Sequence, residues 1–175
     1  GIWVDADVGT AIDDYVGCDV QRGLGYSYNG DADAEPSSSS QGYGLNPPAV
    51  GVDFFEGPYQ DADSVDNPLT QVFYDAVDSL GIPYEGIGIG YGDGVIDNER
   101  FGMRRFVYYN NSGNPINGEP STPLHYYNYM NGIWKNGQKM AYGGDGVSAA
   151  LGANLDIPAD YFFPGDTDPY AWGTG

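Results

Sequence analysis

The chain has 175 residues, with six basic against twenty-five acidic side chains and a net charge of −19. That balance argues against nucleic acid, which needs a basic face to release counterions, and against an anionic membrane surface. The length suits one domain with its own core, 41% apolar and 15% aromatic, while 28 Gly and 12 Pro predict short elements joined by many loops.

Residues 1–35 alternate short apolar runs with acidic turns, and "GLGYSYNGD" within them predicts a strand entering a turn. "PSSSSQGYG" (36–44) is a low-complexity polar loop. In "NPPAVGVDFFEGP", Val50, Val52 and Phe54 alternate as a half-buried strand requires. "DNPLTQVFYDAVDSLGIP" predicts a helix over 68–80. Asn67 is the cap, Pro68 lies in the first turn, and Leu69, Val72, Phe73 and Ala76 form an apolar stripe. "MRRFVYYNN" (103–111) predicts a strand, and "STPLHYYNYMNGIW" a short helix capped by Ser121. "WKNGQKM" predicts a hairpin about Asn136-Gly137. The tail from Asp156 onward is too rich in Pro and Gly for regular structure, but its aromatics should anchor it. Together these predict a β-rich α+β fold, compact, with long ordered loops and one or two short helices.

The single cysteine, Cys18, allows no intrachain disulfide and reads as a small buried residue. No apolar run approaches the roughly 18 residues of a membrane span, and no secretory signal is legible. A start at Gly1 without Met predicts one module, 1–175, of a longer polypeptide.

Calcium takes six to eight oxygen ligands from closely spaced carboxylates, carbonyls and water. Two stretches offer that spacing. In "DADVGTAIDD", Asp5, Asp7, Asp13 and Asp14 lie around Gly9, which permits a sharp bend. In "GDGVIDNE", Asp93, Asp97 and Glu99 fall about Gly94. Set against an EF-hand loop, Ile89 and Tyr91 occupy the first two ligand positions and Arg100 the closing glutamate position. A complete EF-hand is therefore excluded. Either "GDGVIDNE" is a partial loop completed from elsewhere, or it is a solvated acidic turn. "DADAE" and "DADSVDN" read as surface loops, and "FPGDTDPY" stands between the two classes.

His125, the only histidine, makes a zinc centre or a Ser-His-Asp site improbable. "GIGIGYGDG" lacks the lysine and helix of a phosphate loop. Three Trp and sixteen Tyr suit stacking on sugars, yet equally suit a core short of Leu and Ile. Paired carboxylates suit glycoside hydrolysis, but so acidic a chain always offers some pair.

"VGCDVQRGLGYSYNGD", "GYGLNPPAVGVDFFEGP", "GDGVIDNERFGMRRFVYYNN", "YYNYMNGIWKNGQKMAYGG" and "FFPGDTDPYAWGTG" follow one another in order. The series resembles a module of large secreted or cell-surface proteins of Bacteroidota that are exported by type IX secretion. That resemblance implies an extracellular or cell-surface location, where calcium is abundant. Its implied partners are other domains of the same polypeptide or other surface proteins, with glycans as a further class. It also implies O-glycosylation at Asp-Ser/Thr-apolar triplets, which "DSV" and "DSL" match at Ser64 and Ser79. The expectation is a calcium-stabilised, non-catalytic surface module with a structural, adhesive or assembly role. A carbohydrate-binding module is the alternative, and a carboxylate-based glycoside hydrolase the second.

Overall fold

The computed structural model of the protein describes residues 1–5, 8–9, 13–37, 41–69 and 86–174. The fold is β-rich with minor α, and loops dominate it. The helix predicted over 68–80 falls outside the described residues apart from Pro68 and Leu69.

Strands β1 (Asp14–Asp19) and β2 (Leu24–Asn29) form an antiparallel hairpin, and β5 (Val50–Asp53) pairs with the far edge of β2. The register sets Tyr15 opposite Tyr28, Gly17 opposite Tyr26, and Gly25 opposite Val52. Strand side chains alternate between faces. One face therefore carries Val16, Cys18, Ser27, Val50 and Val52, and the other Tyr15, Tyr26 and Tyr28. Asp19 closes the hairpin by accepting from Arg22 N at 3.0 Å and pairing with the Arg22 guanidinium at 2.5 Å. Gly23 sits there at φ 66°, a left-handed conformation that glycine adopts without steric cost. The alternation predicted for Val50, Val52 and Phe54 is present: those three are half-buried, while Gly51 and Asp53 are exposed.

Two short ladders complete the sheet content. β3 (Asp33–Ala34) pairs with β4 (Gly44–Leu45), and β6 (Ala141–Tyr142) with β7 (Asn154–Pro158). Helix α1 (Pro123–Met130) starts one residue later than predicted. Thr122 is its cap, accepting from His125 N, because Ser121 N instead donates to the His125 ring at 3.2 Å. Residues 134–138 make the predicted tight turn, closed by Gly137 N to Trp134 O at 2.8 Å, but no strands flank it.

The stretch 103–111 is not a regular strand. It pairs only at isolated bridges: Phe106 donates to Asp160 O and accepts from Phe162 N, both at 3.0 Å, and Asn110 bridges Gly118. Phe106, Val107, Tyr108 and Tyr109 all pack on the core, so no solvent face exists for alternation to mark.

The core has two aromatic clusters. One joins Cys18, Val20, Tyr161 and Trp172, and the other Tyr129, Trp134, Met140, Ala159 and Phe162. Phe106 packs against both and forms the seam. The C-terminal aromatics are thus the anchor predicted for them. Three polar tips in the core are satisfied: Tyr161 Oη donates to Met103 O at 2.6 Å, Tyr129 Oη to Gly118 O at 2.7 Å, and Trp134 Nε1 to Gly146 O at 3.1 Å.

Candidate functional site

The acidic side chains fall into two groups, and the fold uses them differently. The first is an interlock between the loop over 60–67 and the loop over 91–99. Asp66 accepts from Gly92 N at 2.8 Å and Gly94 N at 2.7 Å. Asp97, held at φ 58°, accepts from Asp63 N at 2.8 Å and Ser64 N at 2.9 Å. Glu99 is fully buried and accepts from Asn67 N at 2.5 Å, while its backbone carbonyl accepts from Gln60 N at 2.9 Å. Asp93 accepts from Val95 N and from Asn98 Nδ2, and those two bonds hold its carboxyl below the ordinary aspartate range. Asp93, Asp97 and Glu99 each serve a different stretch of backbone. The sequence marks the 91–99 half of this interlock, but the 60–67 half reads only as a surface loop.

The second group lies where the β1–β2 ladder ends. Asp14 accepts from Val8 N at 3.1 Å and so holds the loop that leads into β1. Asp13, just before β1, reaches across to Asn29 at the end of β2. Asn29 is only 7% exposed, and its Nδ2 lies 3.4 Å from each of four oxygens: Asp13 Oδ2, Asp31 O, Asp31 Oδ1 and Asp33 O. Among the described residues its Oδ1 has no partner, and neither do the buried Oδ1 atoms of Asp13 and Asp14. Asp5 is engaged elsewhere, accepting from Tyr109 Oη at 2.6 Å. Asp7 and Ser79 lie outside the described residues. The sequence signal for this nest was "NGDAD" (29–33), three oxygen-bearing side chains at every second position. Its overlap "DADAE" reads as a surface loop, and the fourth contributor, Asp13, lies just before β1, beyond any local spacing.

Among the described residues, no three His, Cys, Asp or Glu side chains gather into a metal centre by themselves. The nest at Asn29 draws instead on two carboxylates, an amide and two main-chain carbonyls. The inner face of the sheet floors an open groove of about 1090 Å³, edged by Trp3, Phe54, Met103 and Phe106. On the outer face Tyr15, Tyr28 and Tyr26 form a row, with ring centroids 5.9 and 6.2 Å apart and planes tilted by 36° and 33°. His125 Nδ1 accepts from Ser121 N, so that lone pair is engaged in the helix cap. Among the described residues, no helix is long and apolar enough to cross a membrane.

No family model, curated protein or solved structure matches this chain.

Proposed function

We propose that this chain is a non-catalytic, calcium-stabilised module of an extracellular surface, serving structure, adhesion or assembly. The interlock of residues 60–67 with 91–99 carries the reading. Its carboxylates bind backbone N–H groups of the facing loop and hold an exposed, irregular surface in one shape. A fixed surface serves assembly or adhesion, and its carboxylates are occupied as acceptors rather than opposed across a cleft as in a glycosidase. Calcium enters through charge. A net charge of −19 opposes compaction, and a divalent ion held only by the folded chain offsets it. The ordered series of motifs resembling Bacteroidota surface proteins supports the location. The partners are then neighbouring domains of the same polypeptide or other surface proteins. Ser64 is an exposed loop residue and the better placed glycan acceptor.

The test is thermal unfolding after chelation, with and without calcium. Calcium at about 100-fold its Kd adds about 2.7 kcal/mol to folding. For a chain of this size that moves Tm up by roughly 5–10 °C. An unchanged Tm would remove calcium from the reading.

The tyrosine row favours a second reading, a carbohydrate-binding module. Tyr15 is 57% and Tyr28 44% exposed, beside Gly17 and Gly51, which leave the sheet face low. A glycan array separates the two: binding lost on Tyr15→Ala and Tyr28→Ala supports the second reading, and a blank array the first.

A further inference from the structure

We infer that the nest around Asn29 is a calcium site, with Asp13, Asn29 and Asp31 as side-chain ligands and Asp33 contributing its main-chain carbonyl. The inference rests on the calcium-stabilised reading and assigns it to one place.

An amide nitrogen carries two hydrogens and makes good bonds at 2.7–3.2 Å. Asn29 Nδ2 faces four oxygens, all at 3.4 Å, too many to serve and too far to serve well. The same amide buries its Oδ1 without a partner, although Asn29 is 7% exposed. Turning the amide over exchanges Nδ2 for Oδ1 with no change of shape. The oxygen then joins the four others, and five oxygens facing one point call for a cation.

The donors select the ion. All are oxygens, with no imidazole or thiolate, which favours a hard cation. Two carboxylates, an amide and two carbonyls from one chain turn form an irregular, crowded set. Calcium accepts such sets with water completing six to eight ligands, whereas magnesium demands a near-octahedral set and keeps most of its water. The site joins the residue before β1 to the turn after β2, so an ion there closes the open end of the hairpin.

The test uses terbium as the calcium probe. The Tyr15 ring and the Asp13 carboxylate both flank Gly30, where an added Cβ would lie 2.8 Å from Tyr15 Cε2 and 3.3 Å from Asp13 Oδ2. Tyr15 is therefore the antenna for sensitised emission. The full chain should give saturable terbium emission that calcium displaces. Asp31→Asn and Asp13→Asn should each weaken binding about tenfold or more, because affinity follows the ligand charge count. Asp93→Asn, in the other acidic loop, should leave it unchanged. Asp31 is exposed, and Asn at that position keeps the oxygen that accepts from Asp33 N at 2.8 Å, so this variant should fold even if Asp13→Asn does not. Emission that is unsaturable, or insensitive to Asp31→Asn, overturns the site. A calcium-dependent Tm that persists in Asp31→Asn overturns the site and leaves the calcium-stabilised reading intact. Calcium-displaceable terbium at the site, with no Tm shift in the wild type, does the reverse.

Discussion

Replacing Glu99 tests whether the two acidic loops are held by buried acceptors. Glu99 is 2% exposed and its Oε1 takes the N–H of Asn67, itself 8% exposed. Glu99→Ala leaves that N–H without its acceptor in a place water hardly reaches, at a cost of about 1–3 kcal/mol. It also removes the packed Cγ methylene, worth about 0.8 kcal/mol. Glu99→Gln keeps the methylenes and an oxygen to accept the bond. Both variants lose the same charge, so relief of self-repulsion and of carboxylate desolvation cancels between them. Alanine should therefore be the less stable variant by about 2–4 kcal/mol. Urea unfolding followed by Trp fluorescence measures this, since Trp134 and Trp172 are buried and report the core. Equal stability of the two variants, within about 0.5 kcal/mol, would refute the buried-acceptor argument.

Gly25→Ala should cost about 1–3 kcal/mol, because the added Cβ would lie 2.5 Å from Phe106 Cε2 at the core seam. Gly113→Ala meets nothing within 4 Å and should stay within about 0.5 kcal/mol of wild type, so equal losses in the same urea assay would contradict the packing. Cys18 should resist a thiol reagent at pH 8 until the chain unfolds. Burial first, then the Asp168 and Asp19 charges, push its pKa up, and rapid native labelling would contradict that. Carboxyl NMR titration should find Asp160 above the ordinary aspartate range, because of burial, and Asp93 below it. The signs follow: the Asp93 contribution is present above the ordinary range and lost as pH falls through its folded pKa. The Asp160 contribution is present at low pH and lost as pH rises through its folded pKa. A reversed order of the two titrations would contradict both. Intact-mass analysis of natively produced protein should find sugar on Ser64 or Ser79, and a bare chain at both would reject glycosylation at these triplets.

Local signals carried well where one face of an element meets water. Val50, Val52 and Phe54 alternate in the sequence and in burial, and Leu24–Asn29 forms the strand its composition predicts. The strand predicted for residues 103–111 does not form, since their side chains enter the core from both sides and the backbone pairs only at the isolated bridges of Phe106 and Asn110. Ser121 and Thr122 compete for one helix end, and their order was settled by the His125 ring, which takes the Ser121 N–H. The carboxylates were the least legible feature. Spacing groups Asp93, Asp97 and Glu99 as neighbours, but only Asp93 is served locally; the partners of Asp97 and Glu99 are backbone groups some thirty residues away that no local pattern reveals. Likewise Asp13 and Asp31 read as parts of separate turns until the β1–β2 register brings Asp13 to Asn29, two residues from Asp31.

Calcium stoichiometry decides whether the folded chain holds the ion. Equilibrium dialysis of the folded chain against radioactive calcium should be run with magnesium present, in the roughly millimolar calcium range where extracellular modules bind. Saturable uptake of at least one ion per chain, lost on unfolding, is the expected result. Uptake that never saturates, or that is the same for folded and unfolded chain, would mean a diffuse ion atmosphere around a charge of −19 and would contradict it.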